Sequence, residues 1–209
     1  MPASDFSWYY SRMNEFNWSP GIGDPTIGGW VTVVLYFLAV VTAWKTANIV
    51  RARERFVAGE RYTWRAISIL FCALGINKQL DLQTALTEFG RVVANHQGWY
   101  NERQMVQIWF IVGVAVVCVL ITCVLLTLSR KAPPPAWLAL VGTATVLAFV
   151  LIRAASFHHI DRFLGATILG LRWNWVLEMG GISTVIVASE VRQRRLKTRL
   201  AQQLRRHAN

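Results

Sequence analysis

Three long runs without a charged residue constrain this chain more than any other feature. They cover residues 27–44, 106–128 and 132–152. A helix needs about 20 consecutive apolar residues to cross the hydrocarbon layer of a membrane, and uncharged runs of this length are typical of such helices. The composition agrees, because 54% of the residues are hydrophobic and only 16% are charged. We therefore predict an all-α integral membrane protein.

Two further segments are apolar but shorter. Residues 63–75 contain Arg65 near their start, and residues 173–189 contain Glu178. Each reaches the length of a span only if some polar residues lie at membrane depth. With both included, the predicted fold is a bundle of five transmembrane helices, at about residues 27–49, 63–84, 106–128, 136–156 and 173–191. The alternative is three spans with two helices on the membrane surface.

The distribution of charge favours five spans. Fifteen of the 22 basic residues lie in three clusters, within residues 45–65, at residues 130–131 and within residues 192–206. Five spans place all three clusters on one side, which the positive-inside bias assigns to the cytoplasm. Three spans would separate the first two clusters. We predict a bacterial inner-membrane protein with its N terminus outside and its C terminus in the cytoplasm. The net charge of +11 then reflects orientation and does not indicate nucleic-acid binding.

The two ends of the chain differ from the bundle, which covers residues 27–191. Residues 1–26 combine an aromatic stripe at helical spacing with a turn-rich loop, which predicts an amphipathic helix in the outer interface. Residues 192–209 predict a basic cytoplasmic helix. The basic residues expected to contact lipid or a partner there are Arg192, Arg194, Arg195, Lys197, Arg199, Arg205 and Arg206.

Polar residues from four predicted helices fall at one depth near the outer face. We name this set the outer polar cluster, and its members are Asn77, Lys78, Gln79, Asp81, Gln83, Gln107, Arg153, His158, His159, Asp161 and Glu178. Ions that face lipid at this depth cost several kcal/mol, so the cluster should face protein. Lys78 can pair with Asp81 along one helix, and Arg153 with Glu178 between two helices.

Three interpretations of the outer polar cluster compete. In the first, its ion pairs and amides hold helices together or bind a neighbouring subunit. In the second, it is a catalytic or divalent-metal site, with candidate ligands or acid/base groups His158, Asp161, Asp81 and Glu178. In the third, it forms a pocket for a small ligand or a transported solute. No metal-binding, nucleotide-binding or serine-hydrolase motif occurs in the chain.

These observations favour a non-enzymatic accessory or scaffold subunit of a membrane complex. The expected partners are the lipid bilayer and other membrane-protein subunits, and no cofactor is predicted. The first alternative is a metal-dependent membrane enzyme acting on a lipid-linked or outer-face substrate, which would require a bound divalent metal. The second alternative is a small-ligand binding or transport component. No inverted repeat supports an autonomous transporter.

Overall fold

The computed structural model describes residues 26–53, 58–80, 103–155, 167–168 and 171–208. Within these residues there are five α-helices: α1 (Ile27–Arg53), α2 (Ala58–Leu80), α3 (Arg103–Leu128), α4 (Pro134–Ala155) and α5 (Trp173–Ala208). Two short strands, β1 (Thr167–Ile168) and β2 (Leu171–Arg172), pair antiparallel just before α5. Apart from Thr26 and the α3–α4 turn at residues 129–133, the rest of the described chain is helical.

Local sequence signals fix where two of the helices begin. Thr26 caps α1, because its hydroxyl oxygen accepts a hydrogen bond from the Gly29 amide at 3.1 Å. Helix α4 begins at Pro134, the helix position where a missing amide hydrogen costs least. The Pro133 carbonyl accepts a hydrogen bond from the Ala136 amide at 2.9 Å and closes this first turn.

Helix α2 runs antiparallel to α1. Near one end of the pair the rings of Tyr36 and Phe71 pack with their centroids 5.8 Å apart. Further along, the Ser68 hydroxyl donates to the Val40 carbonyl at 2.9 Å. Residue numbers thus rise along α1 as they fall along α2, which is the arrangement of consecutive helices joined by a short connection.

Helix α5 runs parallel to α1 on another of its faces. Trp175 at the start of α5 lies against Gly28 at the start of α1. Later in both helices the Thr46 hydroxyl donates to the Ser189 carbonyl at 3.5 Å. Helix α1 therefore contacts both α2 and α5 and lies between them in the packing order.

Helix α4 packs antiparallel to α5 through glycine. A Cβ atom on Gly142 would lie 2.7 Å from the Gly181 carbonyl oxygen, so only glycine permits this approach. Helix α3 packs less extensively, mainly on α4. Its last residue, Leu128, meets Gly59 at the start of α2. The five helices therefore alternate in direction along the chain.

The core is formed largely by small and medium apolar side chains. On α1, Ala39, Ala43 and Ala47 recur every fourth residue and are fully buried. Such small side chains allow helices to pack closely in a membrane, where burial of apolar surface gives no advantage over contact with lipid. Larger side chains from the other helices complete the same cluster: Trp64, Ile67, Phe71, Leu125, Val146, Ile182 and Val185.

Three of the helices are long and apolar enough to cross a membrane. These candidate spans are Ile27–Val50, Ile108–Leu128 and Pro134–Ala154. They coincide with the three uncharged runs of the sequence and are typical of a membrane protein. The two weaker predicted spans also correspond to helices, although α2 and α5 fall short of that apolar criterion.

Several predicted boundaries differ from the structure. Helix α2 begins at Ala58, five residues before the predicted start of the second span, and its predicted residues 81–84 lie outside the described chain. Helix α5 continues to Ala208 without a break between the fifth predicted span and the basic tail. The predicted outer helix within residues 1–25 also lies outside the described residues.

Candidate functional site

One buried ion pair joins α2 to α5 at the end of the bundle that contains the start of α1. The Lys78 ammonium lies 3.2 Å from Oε2 of Glu178. The Tyr36 hydroxyl of α1 donates to Oε1 of the same carboxylate, also at 3.2 Å. We name these three residues the outer triad. It brings two members of the outer polar cluster together and adds a tyrosine from a third helix.

The outer triad is shielded from the surroundings. Glu178 is 2% exposed and Tyr36 is 3% exposed, while the Lys78 side chain is 9% exposed. A buried carboxylate is stabilised when both of its oxygens accept hydrogen bonds and a cation balances its charge. Both conditions are met for Glu178, so its geometry is that of a structural group.

A second buried ion pair joins the same two helices at the opposite end. Arg192 of α5 binds Glu60 of α2 in a two-pronged arrangement, with Nε 2.7 Å from Oε1 and Nη2 2.8 Å from Oε2. The Trp64 indole donates to Oε1 at 3.1 Å from one helical turn away. We name these three residues the inner triad. The Glu60 side chain is 0% exposed and that of Arg192 is 2% exposed.

Uncharged hydrogen bonds extend the inner triad to the neighbouring elements. The side-chain amide of Gln193, the next residue on α5, donates to the Thr46 hydroxyl at 3.1 Å and to the Thr42 carbonyl at 3.2 Å. The hydroxyls of Thr63 and Ser129 lie 2.9 Å apart and connect α2 to the turn after α3. Side-chain hydrogen bonds at this end therefore involve α1, α2, α5 and the α3–α4 turn.

The two ion pairs have opposite polarity. Helix α2 carries the acid of the inner triad and the base of the outer triad, and α5 carries the reverse. At 1.5 Å per residue, Glu60 and Lys78 are separated by about 27 Å along α2, and Glu178 and Arg192 by about 21 Å along α5. These spacings approach the ~30 Å thickness of the hydrocarbon layer. The pairs thus fix the register of α2 against α5 at both ends.

The structure corrects the predicted partner of Glu178. The expected partner was Arg153, but the carboxylate binds Lys78, and the Arg153 side chain is exposed at the end of α4. Helix α2 presents Lys78 toward α5, a rotation that residue spacing alone did not fix. Asn77 and Gln79, which flank Lys78, are half-buried.

The other members of the outer polar cluster lie outside the described side chains. They are Asp81, Gln83, Gln107, His158, His159 and Asp161. The predicted pairing of Lys78 with Asp81 falls in the same category, as do three of the four candidate catalytic residues. Of those four candidates, Glu178 is the one whose surroundings are described.

The expectation for Arg192 is also corrected. The sequence grouped it with the basic tail because it follows the last apolar run, whereas its side chain is buried against Glu60. It lies on the face of α5 that is turned toward α2. The remaining basic residues of the tail are exposed, namely Arg194, Arg195, Lys197, Arg199, Arg205 and Arg206.

Sequence reasoning missed four residues of these networks. Tyr36 lies within an apolar run and Glu60 lies among basic residues, so neither was assigned to a site. Trp64 and Gln193 were not assigned to a site either. A signal was nevertheless present in the order of the charges. Along the sequence an acid precedes a base on α2, and an acid again precedes a base on α5, which runs antiparallel to α2. Two antiparallel helices with this pattern can form both pairs at once.

The described residues contain no group of three or more His, Cys, Asp or Glu side chains that could hold a metal ion. The arrangement of the two triads can neutralise charge and hold helices in register. Comparisons with protein-family models, with curated proteins and with solved structures give no match for this chain. The functional argument therefore depends on the geometry of the chain itself.

Proposed function

We propose that the chain crosses a bacterial inner membrane five times, with its N terminus outside and its C terminus in the cytoplasm. The alternating directions of the five helices support this topology, since each crossing must reverse the one before. Helices α2 and α5 also contact α1, one of the three strongly apolar helices, along much of its length. The two triads support it further, because they neutralise four of the charges that make α2 and α5 less apolar.

The α3–α4 turn provides the test of this topology. Arg130 in this turn is exposed and faces the cytoplasm if there are five spans, but the outside if α2 and α5 do not cross. The native Cys72, Cys118 and Cys123 are first replaced by alanine, and Arg130→Cys is then treated with a membrane-impermeant maleimide. Five spans require labelling only after the cells are opened. Labelling of intact cells would overturn the proposal, and Ile27→Cys serves as the outside-facing control.

Within this topology we propose a non-enzymatic role, as an accessory or scaffold subunit of a membrane complex. The partner is a transmembrane helix of another membrane protein, bound along α3. The observation that carries this proposal is the exposure of α3. Only 6% of the most apolar segment of α3 is buried inside the protein, whereas the buried share of the corresponding segment is 33% in α1 and 50% in α4.

A glycine marks the exposed face of α3 as suitable for a helix partner. A Cβ atom on Gly113 would meet nothing within 4 Å, whereas Gly142 already lies against α5. Exposed Trp109, Val112 and Val116 lie near Gly113 on the same helix. Glycine beside branched apolar side chains permits the close approach by which helices associate in lipid.

The hydrogen bonds accepted by the two buried carboxylates support a structural role over a catalytic one. Each oxygen of Glu178 and of Glu60 accepts at least one hydrogen bond from a side chain of the same chain. A carboxylate that is hydrogen-bonded at both oxygens and neutralised by a buried cation is typical of a structural ion pair. Both carboxylates bind cations from the facing helix.

Site-specific photocrosslinking tests the scaffold role. A photoreactive phenylalanine analogue at Val116 on α3 should give a discrete protein adduct in membranes, while the same group at Phe37 on α1 should give none. Both positions are exposed, at 51% and 64%. Purification in mild detergent provides a second measurement. A monomer without protein adducts at position 116 and without co-purifying protein would overturn the proposal.

A matched pair of glycine variants separates association from folding. Gly113→Leu should abolish the adduct and co-purification while leaving the melting temperature of the isolated chain unchanged, because its side chain enters open space. Gly180→Leu on α5 makes the same change at an equally open position. It should leave association intact, and equal loss in the two variants would contradict a specific role for α3.

A further inference from the structure

Two half-buried arginines on α2 differ from the buried cations of the two triads. Arg61 and Arg65 lie one helical turn apart, and the Nε atom of each is buried without a hydrogen-bond partner. Among the described residues, no carboxylate forms an ion pair with either guanidinium, whereas Lys78 and Arg192 each bind a glutamate. A buried donor without a hydrogen-bond partner is costly, so an anion that accepts hydrogen bonds from these two guanidinium groups would be stabilising.

Aromatic rings lie beside both guanidinium groups at the surface of the bundle. The Arg65 guanidinium lies 5.3 Å from the ring centre of Trp44, and that of Arg61 lies 5.6 Å from the ring centre of Tyr62. The rings are half-exposed, at 42% for Trp44 and 50% for Tyr62. Trp and Tyr are enriched at the level of lipid headgroups. Arg61 also follows Glu60 of the inner triad directly, which places the arginines near the cytoplasmic end of α2 in the proposed topology.

An apolar strip continues from the arginines along the same face of α2. Ile69, Cys72 and Ile76 follow Arg65 at intervals of four, three and four residues, and all three are exposed. From Arg65 to Ile76 the helix rises about 16 Å at 1.5 Å per residue. This length matches one leaflet of the hydrocarbon layer, roughly 15 Å. The face thus presents two cations at one end and an uncharged surface of acyl-chain length beyond them.

We propose that this face is a binding site for an anionic phospholipid of the cytoplasmic leaflet. Arg61 and Arg65 bind the lipid phosphate, because planar guanidinium groups match its oxygens in two-pronged hydrogen bonds. The acyl chain lies along Ile69, Cys72 and Ile76. The choice of leaflet rests on the proposed five-span topology, but the binding itself can be measured in detergent and does not depend on orientation.

Native mass spectrometry of the full-length protein in detergent tests the site. The probes are phosphatidylglycerol and phosphatidylcholine with identical acyl chains. Wild type should bind phosphatidylglycerol more tightly, and Arg61→Gln/Arg65→Gln should weaken that binding at least about tenfold. The control is Arg130→Gln/Lys131→Gln, which removes the same charge from exposed positions of the α3–α4 turn and should retain tight binding.

Three results would overturn the proposal. These are equal affinity of wild type for the two lipids, equal loss of binding in both double variants, and complete displacement of the lipid by inorganic phosphate. The last result would mean that the arginines form a simple anion site to which the acyl strip contributes nothing. If the glutamine double variant does not fold, Arg65→Lys keeps the charge but removes the two-pronged contact. It should weaken phosphatidylglycerol binding severalfold, and unchanged binding would count against the site.

Discussion

Helices α2 and α5 contrast with helix α3 in composition and in surroundings. In the proposed topology the first two cross the membrane, and each carries a glutamate and a basic residue that are buried against the other helix. Helix α3 has no charged residue after its first position, and only 6% of its most apolar segment is buried. Hydropathy therefore identifies α3, which makes the fewest buried contacts with the other helices. It does not identify α2 and α5, whose charged residues require partners on another helix.

The energetic basis of this contrast is the cost of charge in lipid. A Lys, Arg or Asp near the centre of a lone transmembrane helix costs about 2.5–3.5 kcal/mol for insertion. Helices α2 and α5 offset that cost by pairing Glu60 with Arg192 and Glu178 with Lys78. Helix α3 has no such cost and correspondingly little specific packing. Substitutions should therefore be costly in the first region and nearly neutral in the second.

The largest effect is expected at the inner triad. Arg192→Leu leaves Glu60 buried without a cation and should destabilise the bundle by about 3–5 kcal/mol. Unfolding in detergent by denaturant measures this. Arg195→Leu, at an exposed position on the same helix, should have little effect. The double variant Glu60→Leu/Arg192→Leu should recover much of the loss, and no recovery would contradict a charge-pairing role.

A smaller effect is expected at the outer triad. Glu178→Gln keeps an oxygen for the Tyr36 hydroxyl but leaves Lys78 opposite a neutral group, and should cost about 2 kcal/mol. The loss is smaller than in the inner triad because the flexible Lys78 side chain is more exposed than that of Arg192 and is able to move toward the interface. Thermal unfolding compared with Arg153→Gln provides the control. Equal effects of these two substitutions would restore Arg153 as the functional partner of Glu178.

The close contact between α4 and α5 tests the contribution of packing that involves no charge. Gly142→Ala places a methyl group 2.7 Å from the Gly181 carbonyl oxygen, so α4 and α5 must separate. We expect a loss of about 1–3 kcal/mol. Gly180→Ala, where the methyl group meets nothing within 4 Å, should be neutral or slightly stabilising. If the two variants unfold at the same temperature, the close contact of α4 with α5 is not an important source of stability.

The smallest effect is expected on α3. Val116→Ala should change the unfolding free energy of the isolated chain by no more than about 0.5 kcal/mol, because the side chain is 51% exposed. The same substitution at fully buried Val185 on α5 should cost about 1–2 kcal/mol through the cavity that it leaves. Denaturant unfolding of the two variants side by side measures the difference. A cost at Val116 as large as at Val185 would show that α3 is an integral part of the core.

The sequence was informative about the helices and weaker about their contacts. The three uncharged runs correspond to helices of spanning length because length and apolarity are sufficient for that inference. Glu178 was expected to pair with Arg153 but pairs with Lys78, because spacing gave no information on which face α2 turns toward α5. Arg192 was misassigned for a similar reason. Its burial depends on Glu60, a residue 132 positions away, and such long-range pairs leave little trace in local pattern.

The sequence separation of the two ion pairs has a consequence for biogenesis. Glu60 precedes Arg192 by 132 positions, and Lys78 precedes Glu178 by 100. At a synthesis rate of roughly 5–20 residues per second, α2 leaves the ribosome on the order of ten seconds before its counter-ions exist. During that interval its ionised groups lack their counter-ions, so the translocation channel or a chaperone must keep them out of contact with the hydrocarbon layer. A chain interrupted before α5 would keep Glu60 and Lys78 without these counter-ions.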